Sequence, residues 1–407
     1  MEIFTLDFKI SLFALCALIF SCQAQEKKTI DNSEESLEII TGAEQLNMLL
    51  EIIAGKKIAM VANQSSVVFE KNTRKPIHLI DSLLKHKAAI QKVFAPEHGF
   101  RGTADAGELI KDGKDTKTGI PIISLYGDNK KPKPKQLTDV ELIVFDLQDV
   151  GVRFYTYIST LHYVLEAAAE ENIPVIVLDR PNPNIQLIDG PILDKKHQSF
   201  VGMHSVPVLY GMTIGEYAQM IKGEQWINQA DALNLQVIPL KNYQRTSTYE
   251  LPVKPSPNLP NAQSIALYPS LCFFEGTDIS VGRGTNKQFQ IFGAPYLKNT
   301  AIFNYEFMPM PNVGARNPKH KTNICFGLDL SNEEHPKRLE LKWLVLAYKN
   351  SPNKKQFFNA FFEKLAGTEN LRKQIEAGVS LDQIYAGWQP ELERFKKLRE
   401  PYLLYPE

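Results

Sequence analysis

Glu141-Leu142-Ile143-Val144-Phe145-Asp146-Leu147-Gln148-Asp149 reads as a strand with a polar end. Its apolar run is continuous rather than alternating, the mark of a strand buried on both faces. The same unit recurs in Lys57-Ile58-Ala59-Met60-Val61-Ala62-Asn63, Ile90 to Phe94, Ile120 to Leu125, Ile173 to Leu178 and Leu233 to Leu240. Helical patterns separate these runs. Leu46 to Ile53 follows capping-box spacing at Thr41 to Glu44, and a second box, Thr213-Ile214-Gly215-Glu216, opens a helix through Ile221. Ile77 to Leu84 and Leu161 to Glu170 complete the alternation. Buried strands alternating with helices predict an α/β fold: a Rossmann-like, open, mostly parallel sheet with helices on both faces.

In such a sheet, ligands bind outside the carboxyl ends of the strands. Asn63, Glu97, Asp146 to Arg153 and Asp179-Arg180 all fall there. No Gly-x-Gly-x-x-Gly follows the first strand and no Walker-type loop occurs, so no cofactor is expected.

At 407 residues the chain is too long for one typical core. Pro252, Pro255, Pro257 and Pro260 crowd a segment that reads as a domain boundary. The expected organisation is a leader over 1–22, a polar tether over 23–37, a Rossmann-like domain over 38–250 and a smaller α+β auxiliary domain over 251–407. The second part is expected to be largely helical, with Leu339 to Tyr348, Phe357 to Leu365 and a helix opening at Ser380. The tail Tyr402-Leu403-Leu404-Tyr405-Pro406 is expected to dock back onto the body.

Lys plus Arg and Asp plus Glu both total 46, which argues against a nucleic-acid partner, since that needs a clustered basic surface. The one basic run, Lys130-Lys131-Pro132-Lys133-Pro134-Lys135, reads as a solvated, proline-stiffened loop, with contact to an anionic polymer as the alternative. Ile10 to Phe20 is an apolar run of signal-peptide length, ending in Ile19-Phe20-Ser21-Cys22. That ending resembles a bacterial lipobox, with Cys22 as the lipid-carrying residue; cleavage after Ala24 is the competing reading. Either predicts export, to the periplasm or to a membrane-anchored state. Cys272 and Cys325 are left in the body, as one disulfide or two buried thiols.

The chemistry is expected at Phe94-Ala95-Pro96-Glu97-His98-Gly99-Phe100-Arg101-Gly102. A strand runs into a proline, then a carboxylate, an imidazole and a guanidinium, with glycines that allow tight turns. Glu97 and His98 can serve as an acid/base pair in a partly desolvated cleft. Asp146 and Asp149 can supply a second carboxylate or a metal ligand, or cap the following helix. Arg101, Arg153, Arg180 and Arg283 are candidate clamps for an anionic substrate, because a guanidinium binds carboxylate in a bidentate fork. Tyr126, Tyr155 and Tyr157 can stack on a sugar or pack half-buried. Phe274-Glu275-Gly276-Thr277 and Gly282-Arg283-Gly284-Thr285 suggest backbone brought close to a polar ligand, or tight turns alone. No Gly-x-Ser-x-Gly elbow is present, which disfavours a serine hydrolase. Metal-assisted hydrolysis through His98, Asp146 and Asp149 competes, although no metal is expected because no ligand spacing supports it.

Taken in order, Ala95 to Gly102, Asp146 to Tyr157, Asp179-Arg180-Pro181-Asn182-Pro183 and Phe274 to Thr285 resemble the bacterial exo-β-N-acetylmuramidases, long catalogued as a domain of unknown function. The resemblance implies a Rossmann-like catalytic domain, a smaller auxiliary domain and a cleft between them. It further implies release of N-acetylmuramic acid from the non-reducing end of peptidoglycan fragments, with Glu97 as the leading catalytic residue. In that setting Glu97 is the expected acid, its pKa raised by apolar neighbours such as Phe94 and Phe100. Asp149 is left as nucleophile, base or cap. Arg153 and Arg283 are the first choices for the lactyl carboxylate, and Asn63, Arg101, Tyr155, Tyr157, Asp179, Arg180 and Glu275 complete the expected binding set. Members often carry histidine where this chain has Tyr210. The rival from another class is a non-catalytic binding protein for muropeptides or other anionic glycans.

Overall fold

The computed structural model describes residues 38–70, 73–101, 112–299 and 301–406. The leader, the lipobox at Cys22, the tether and Gly102 lie outside the described residues. Seven strands form the main sheet: β1 (Lys57–Ala62), β2 (Ala89–Ala95), β3 (Gly113–Lys114), β4 (Pro121–Ser124), β5 (Leu142–Asp146), β6 (Val175–Leu178) and β7 (Leu235–Ile238). Their spatial order is β7-β6-β5-β1-β2-β4-β3. All neighbours run parallel except β3, which pairs antiparallel with β4. The expected Rossmann-like sheet is therefore present, with a short antiparallel edge added.

The continuous apolar runs have a direct cause. Alternate residues of each central strand serve different cores. Ala59, Val61, Ile143, Phe145, Val175 and Val177 join one cluster, with Leu161 and Val164 of the helix Tyr157–Glu170 and Ala218 and Ile221 of the helix Ile214–Gly223. Ile58, Met60, Leu142, Val144, Ile176 and Leu178 join the other, with Leu49 and Ile53 of Leu46–Ile53 and Leu79 and Leu83 of Leu79–Lys85. Helices thus cover both faces.

The chain makes its turn-back at β1. From there it steps through β2 to β4, then returns to place β5 on the other side of β1. A crevice opens at the carboxyl ends of the strands where the order reverses, which is where α/β sheets bind ligands.

The later part of the chain carries a small antiparallel sheet: Ile291–Ala294 and Tyr305–Phe307 both pair with Cys325–Asp329. Helices Lys342–Asn350, Phe361–Ala366, Asn370–Glu376 and Leu381–Arg399 follow. Leu271, Phe273, Phe274 and Phe292 belong to the same apolar cluster as one face of the main sheet, and residues 39–407 form one compact unit. The tail does dock. Tyr405 is buried, its hydroxyl donates to Asp179 and accepts from the Leu240 amide at 2.9 Å, and the Pro406 carbonyl accepts from the Arg245 amide at 3.0 Å. Cys272 and Cys325 are both buried free thiols. Among the described residues no helix is long and apolar enough to cross a membrane.

Candidate active site

Pro96, Glu97 and His98 leave the end of β2 in a tight turn, closed by the Gly99 amide donating to the Pro96 carbonyl at 3.1 Å. His98 and Gly99 both adopt left-handed backbone, with φ of 71° and 76°. Glycine takes that conformation freely, whereas histidine pays a steric penalty of about 1–2 kcal/mol. The surrounding structure must therefore fix this turn, and Glu97 is held at the strand end as a result. The residue is only 8% exposed. The Thr156 hydroxyl donates to Glu97 Oε2 at 2.7 Å. Tyr126 hydrogen-bonds to the same carboxylate; burial, then the Glu97 charge, push its phenol well above the ordinary range.

These residues line a cavity of about 520 Å³, a volume typical of small-ligand sites. Its walls come from both parts of the chain. Glu97, His98, Tyr126, Tyr155 and Thr156 face Asn258, Tyr268, Glu275, Arg283 and Phe289, with Asp128, Lys130 and Phe200 also in the lining. Tyr155 and Tyr268 meet edge to face, 6.1 Å between centroids. The Tyr155 hydroxyl donates to the Pro255 carbonyl at 2.8 Å, so its position is set by the proline-rich segment. Arg283 pairs with Glu275 at 2.9 Å and donates to the Gly314 carbonyl at 3.3 Å.

Of the residues expected at the site, Glu97, His98, Tyr126, Tyr155, Glu275 and Arg283 share this cavity. The rest lie elsewhere, each for a visible reason. Arg153 is fully buried. Its guanidinium donates to the carbonyls of Pro191, Val206, Leu365 and Ala366 at 2.7–2.9 Å, which corrects its assignment as a substrate clamp. Burial draws it down to about 9. Arg180 makes a buried bidentate pair with Asp146, 2.6 and 3.0 Å, joining the ends of β5 and β6. Asp179 caps the helix Ile214–Gly223, accepting from Thr213 Oγ1 at 2.7 Å and the Gly215 amide at 2.8 Å. Arg101 stacks on Phe100 and pairs with Asp115 at 2.8 Å. Asn63 is buried, with Nδ2 donating to the Tyr157 hydroxyl at 2.6 Å and Oδ1 accepting from the Ser65 amide at 2.9 Å. Tyr157 is thereby turned away from the lining, to the Glu97 and Pro255 carbonyls.

Asp149 is also withdrawn. Its Oδ2 accepts from the Gly151 amide at 2.6 Å and from the Tyr210 hydroxyl, while Oδ1 is buried without a hydrogen-bond partner. Burial pushes its carboxyl up to about 6. It does not cap the helix beginning at Tyr157. Tyr210 is itself fully buried and reaches Asp149, not the cavity. Asp146 and Asp149 are thus tied up away from His98, and among the described residues no group of three metal-ligand side chains comes together. Phe94 and Phe100 pack in the cores; the phenyl and phenol rings that share the cavity with Glu97 include Tyr126, Phe154, Tyr155, Phe200, Tyr268, Phe289 and Phe361.

Three residues carry more than their sequence context suggested. Thr156 stands within the motif but read only as a helix start. Asn258 donates from Nδ2 to the Gly314 carbonyl at 2.6 Å and keeps a buried Oδ1 without a partner in the cavity wall. Lys319 donates to the carbonyls of Phe274, Glu275 and Thr277 at 2.6–3.2 Å, fixing the turn that presents Glu275. Burial draws its ammonium down to about 8.

Sequence and structure comparisons relate the whole chain to known proteins. The family profile described as exo-beta-N-acetylmuramidase NamZ, N-terminal, matches residues 58–263, and the corresponding C-terminal profile matches 266–405. Peptidoglycan beta-N-acetylmuramidase NamZ of Bacillus subtilis (strain 168) is 38% identical over 371 residues, 87% of this chain and 88% of that protein. A crystal structure of a DUF1343 family protein from Bacteroides fragilis NCTC 9343 superimposes with a TM-score of 0.82 at 42% identity, covering 91% of this chain and 99% of the other. A second from the same organism gives 0.75 at 27%, covering 90% and 99%. With both profiles matched in order across one continuous cavity, the chain belongs to the exo-beta-N-acetylmuramidase NamZ family.

Proposed function

We propose that this protein is an exo-acting β-N-acetylmuramidase that releases N-acetylmuramic acid from the non-reducing end of peptidoglycan fragments, with Glu97 as its general acid. The observation that carries the reading is the grip on Glu97: a carboxyl group on a strained turn, held by Thr156 at 2.7 Å inside an aromatic-walled cavity. Cleavage of a glycosidic bond passes through an oxocarbenium-like state and needs a proton delivered to the leaving oxygen. Glu97 gives that proton as the C1–O bond breaks, and water adds its hydroxyl to C1 while the proton it releases restores the acid. Thr156 and Tyr126 fix the carboxyl so that little reorganisation is needed at that moment. Tyr155 and Tyr268 offer apolar faces to the sugar. Glu275, half-buried and held by Arg283, is a second carboxylate in the same wall and better placed than Asp149.

The deciding experiment is Glu97→Gln assayed with para-nitrophenyl N-acetylmuraminide and with a muropeptide disaccharide. Loss of the acid should lower kcat on the disaccharide by roughly 10²–10⁴-fold, with binding retained, and leave more activity on the nitrophenol, whose departure needs less protonation. Equal turnover by mutant and parent on the disaccharide would remove Glu97 from the chemistry. Saturable binding of the sugar with no product from the parent protein would favour a binding protein instead.

We further propose that the protein is exported and anchored through a lipid on Cys22, on the strength of the leader sequence alone. Fractionation of the parent and of Cys22→Ala tests this: the lipoprotein moves from the membrane to the soluble fraction, whereas cleavage after Ala24 leaves both forms soluble.

A further inference from the structure

An N-acetylmuraminide without a stem peptide brings its own carboxylate into a cavity that already holds Glu275 and Asp128. Like charges repel at this range, so the anion needs a cation that is not already neutralised. Arg153, the sequence-based choice, is buried beneath four carbonyls, and Arg283 is paired with Glu275. Among the cavity-lining residues one cation is left: Lys130 makes no ion pair with any described residue. Its ammonium sits 5.3 Å from the centroid of the Phe200 ring. Phe200 packs edge-on to Tyr126 at 5.8 Å and parallel to Tyr163 at 6.3 Å. The next residue shows the contrast, since Lys131 is held by Glu166 at 2.8 Å and Glu170 at 2.7 Å.

We propose that Lys130, seated on Phe200, is the receptor for the substrate's lactyl carboxylate and hence the residue that selects N-acetylmuramic acid over N-acetylglucosamine. This rests on the glycosidase reading above. Tyr126 links the two functions, with its hydroxyl on Glu97 and its ring on Phe200. A sugar lying across Tyr126 presents its C1 oxygen toward the acid and its C3 substituent toward the ammonium. The aromatic platform holds the long lysine stem and reduces the rotamer freedom lost when the ion pair forms. The groove beyond Lys130 carries both signs, with Lys131 and Lys133 beside Glu170 and Glu171, so the choice between the lactyl group and a stem-peptide carboxylate falls to the test.

The test compares the parent, Lys130→Met and Lys130→Arg on three nitrophenyl glycosides: N-acetylmuraminide, its lactyl carboxamide and N-acetylglucosaminide. A charge-assisted contact at this partly exposed position predicts a loss of about 10- to 100-fold in kcat/KM for Lys130→Met on the muraminide. The loss should lie in KM, with kcat within about twofold. The carboxamide and the glucosaminide should be unaffected, and Lys130→Arg should recover most of the loss. Equal losses on acid and carboxamide, or none on either, would overturn the proposal. A loss seen only with peptide-bearing substrates would assign the contact to the stem peptide and overturn it as well. If the parent cleaves none of the glycosides, the glycosidase reading fails separately. Calorimetric binding of free N-acetylmuramic acid against N-acetylglucosamine then decides, because Lys130→Met must abolish any preference for the acid.

Discussion

Asp149 separates a structural from a catalytic reading of the motif it belongs to, and Asp149→Asn tests the two at once. The carboxylate is sealed beneath Tyr155, Tyr157, Tyr210 and Tyr217, with one oxygen partnerless. Burial raises it from an ordinary value of 3.8 to about 6. An acid raised on folding binds its proton more tightly in the folded state. Its contribution is therefore fully present below 3.8 and is lost as pH rises through about 6. That difference is worth about 3 kcal/mol. Asparagine keeps an oxygen to accept from Tyr210 and the Gly151 amide, and it does not ionise. It leaves an amide N–H₂ in place of the partnerless oxygen, a fixed cost of about 1–3 kcal/mol that does not depend on pH. The stability of Asp149→Asn relative to the parent should thus climb with pH, by about 2 kcal/mol between pH 4.5 and 7.5, whatever its offset. Denaturant melts of both proteins across that range measure it. Parallel curves would refute the burial argument. Activity supplies the second readout: with Asp149 outside the cavity, Asp149→Asn should keep kcat within about tenfold, set by shifts in the loop that carries Tyr155 and Thr156. A loss comparable to Glu97→Gln would return Asp149 to the chemistry.

Thr156→Val removes the hydroxyl on Glu97 while keeping the shape. It should lower kcat by about 10-fold with KM within twofold, and Thr156→Ser should restore most of the rate. Arg153→Met strands four buried carbonyls and should destabilise by roughly 4 kcal/mol, whereas Arg283→Met, at the cavity wall, should cost activity at nearly unchanged melting temperature. Tyr405→Phe removes the donor to Asp179 and the acceptor for the Leu240 amide. A loss of about 1–2 kcal/mol in denaturant unfolding, with kcat unchanged, would mark the docked tail as structural.

The sheet was legible because its signal is redundant. Each of Lys57–Ala62, Ala89–Ala95, Leu142–Asp146 and Val175–Leu178 must be apolar on both faces, and the pattern repeats at helix-length intervals. The small sheet through Cys325–Asp329 was not legible, since its strands are short and Gly293 and Gly327 break their texture. The site was legible only as a neighbourhood. Strand-end position drew attention to Glu97 and Arg153 alike, but period and spacing do not say which way an isolated loop side chain turns. Tyr155 faces the cavity while Arg153, two residues earlier, is fully enclosed. Lys130 was hidden for the opposite reason: a run of lysines and prolines has the composition of a solvated loop, and nothing in it foretells Phe200, seventy residues on, as a platform.

The fate of the cations explains how the buried carbonyls around a cleft this polar are satisfied. An open parallel sheet leaves the segments at its carboxyl ends without ladder partners, and buried carbonyls there need donors. Arg153 and Lys319 each supply several, one between the Pro191 and Val206 segments and the helix Phe361–Ala366, the other under the Glu275 turn. Arg245 does the same for the Gly211 carbonyl while pairing with Glu216. Neither Arg153 nor Lys319 meets a carboxylate squarely, and burial lowers the affinity of both for their protons. Ammonium and guanidinium groups used as internal struts are unavailable to an anionic ligand. Arg153 and Lys319 therefore hold the walls in place, and recognition of the substrate's charge passes, on the proposal above, to a lysine on the rim.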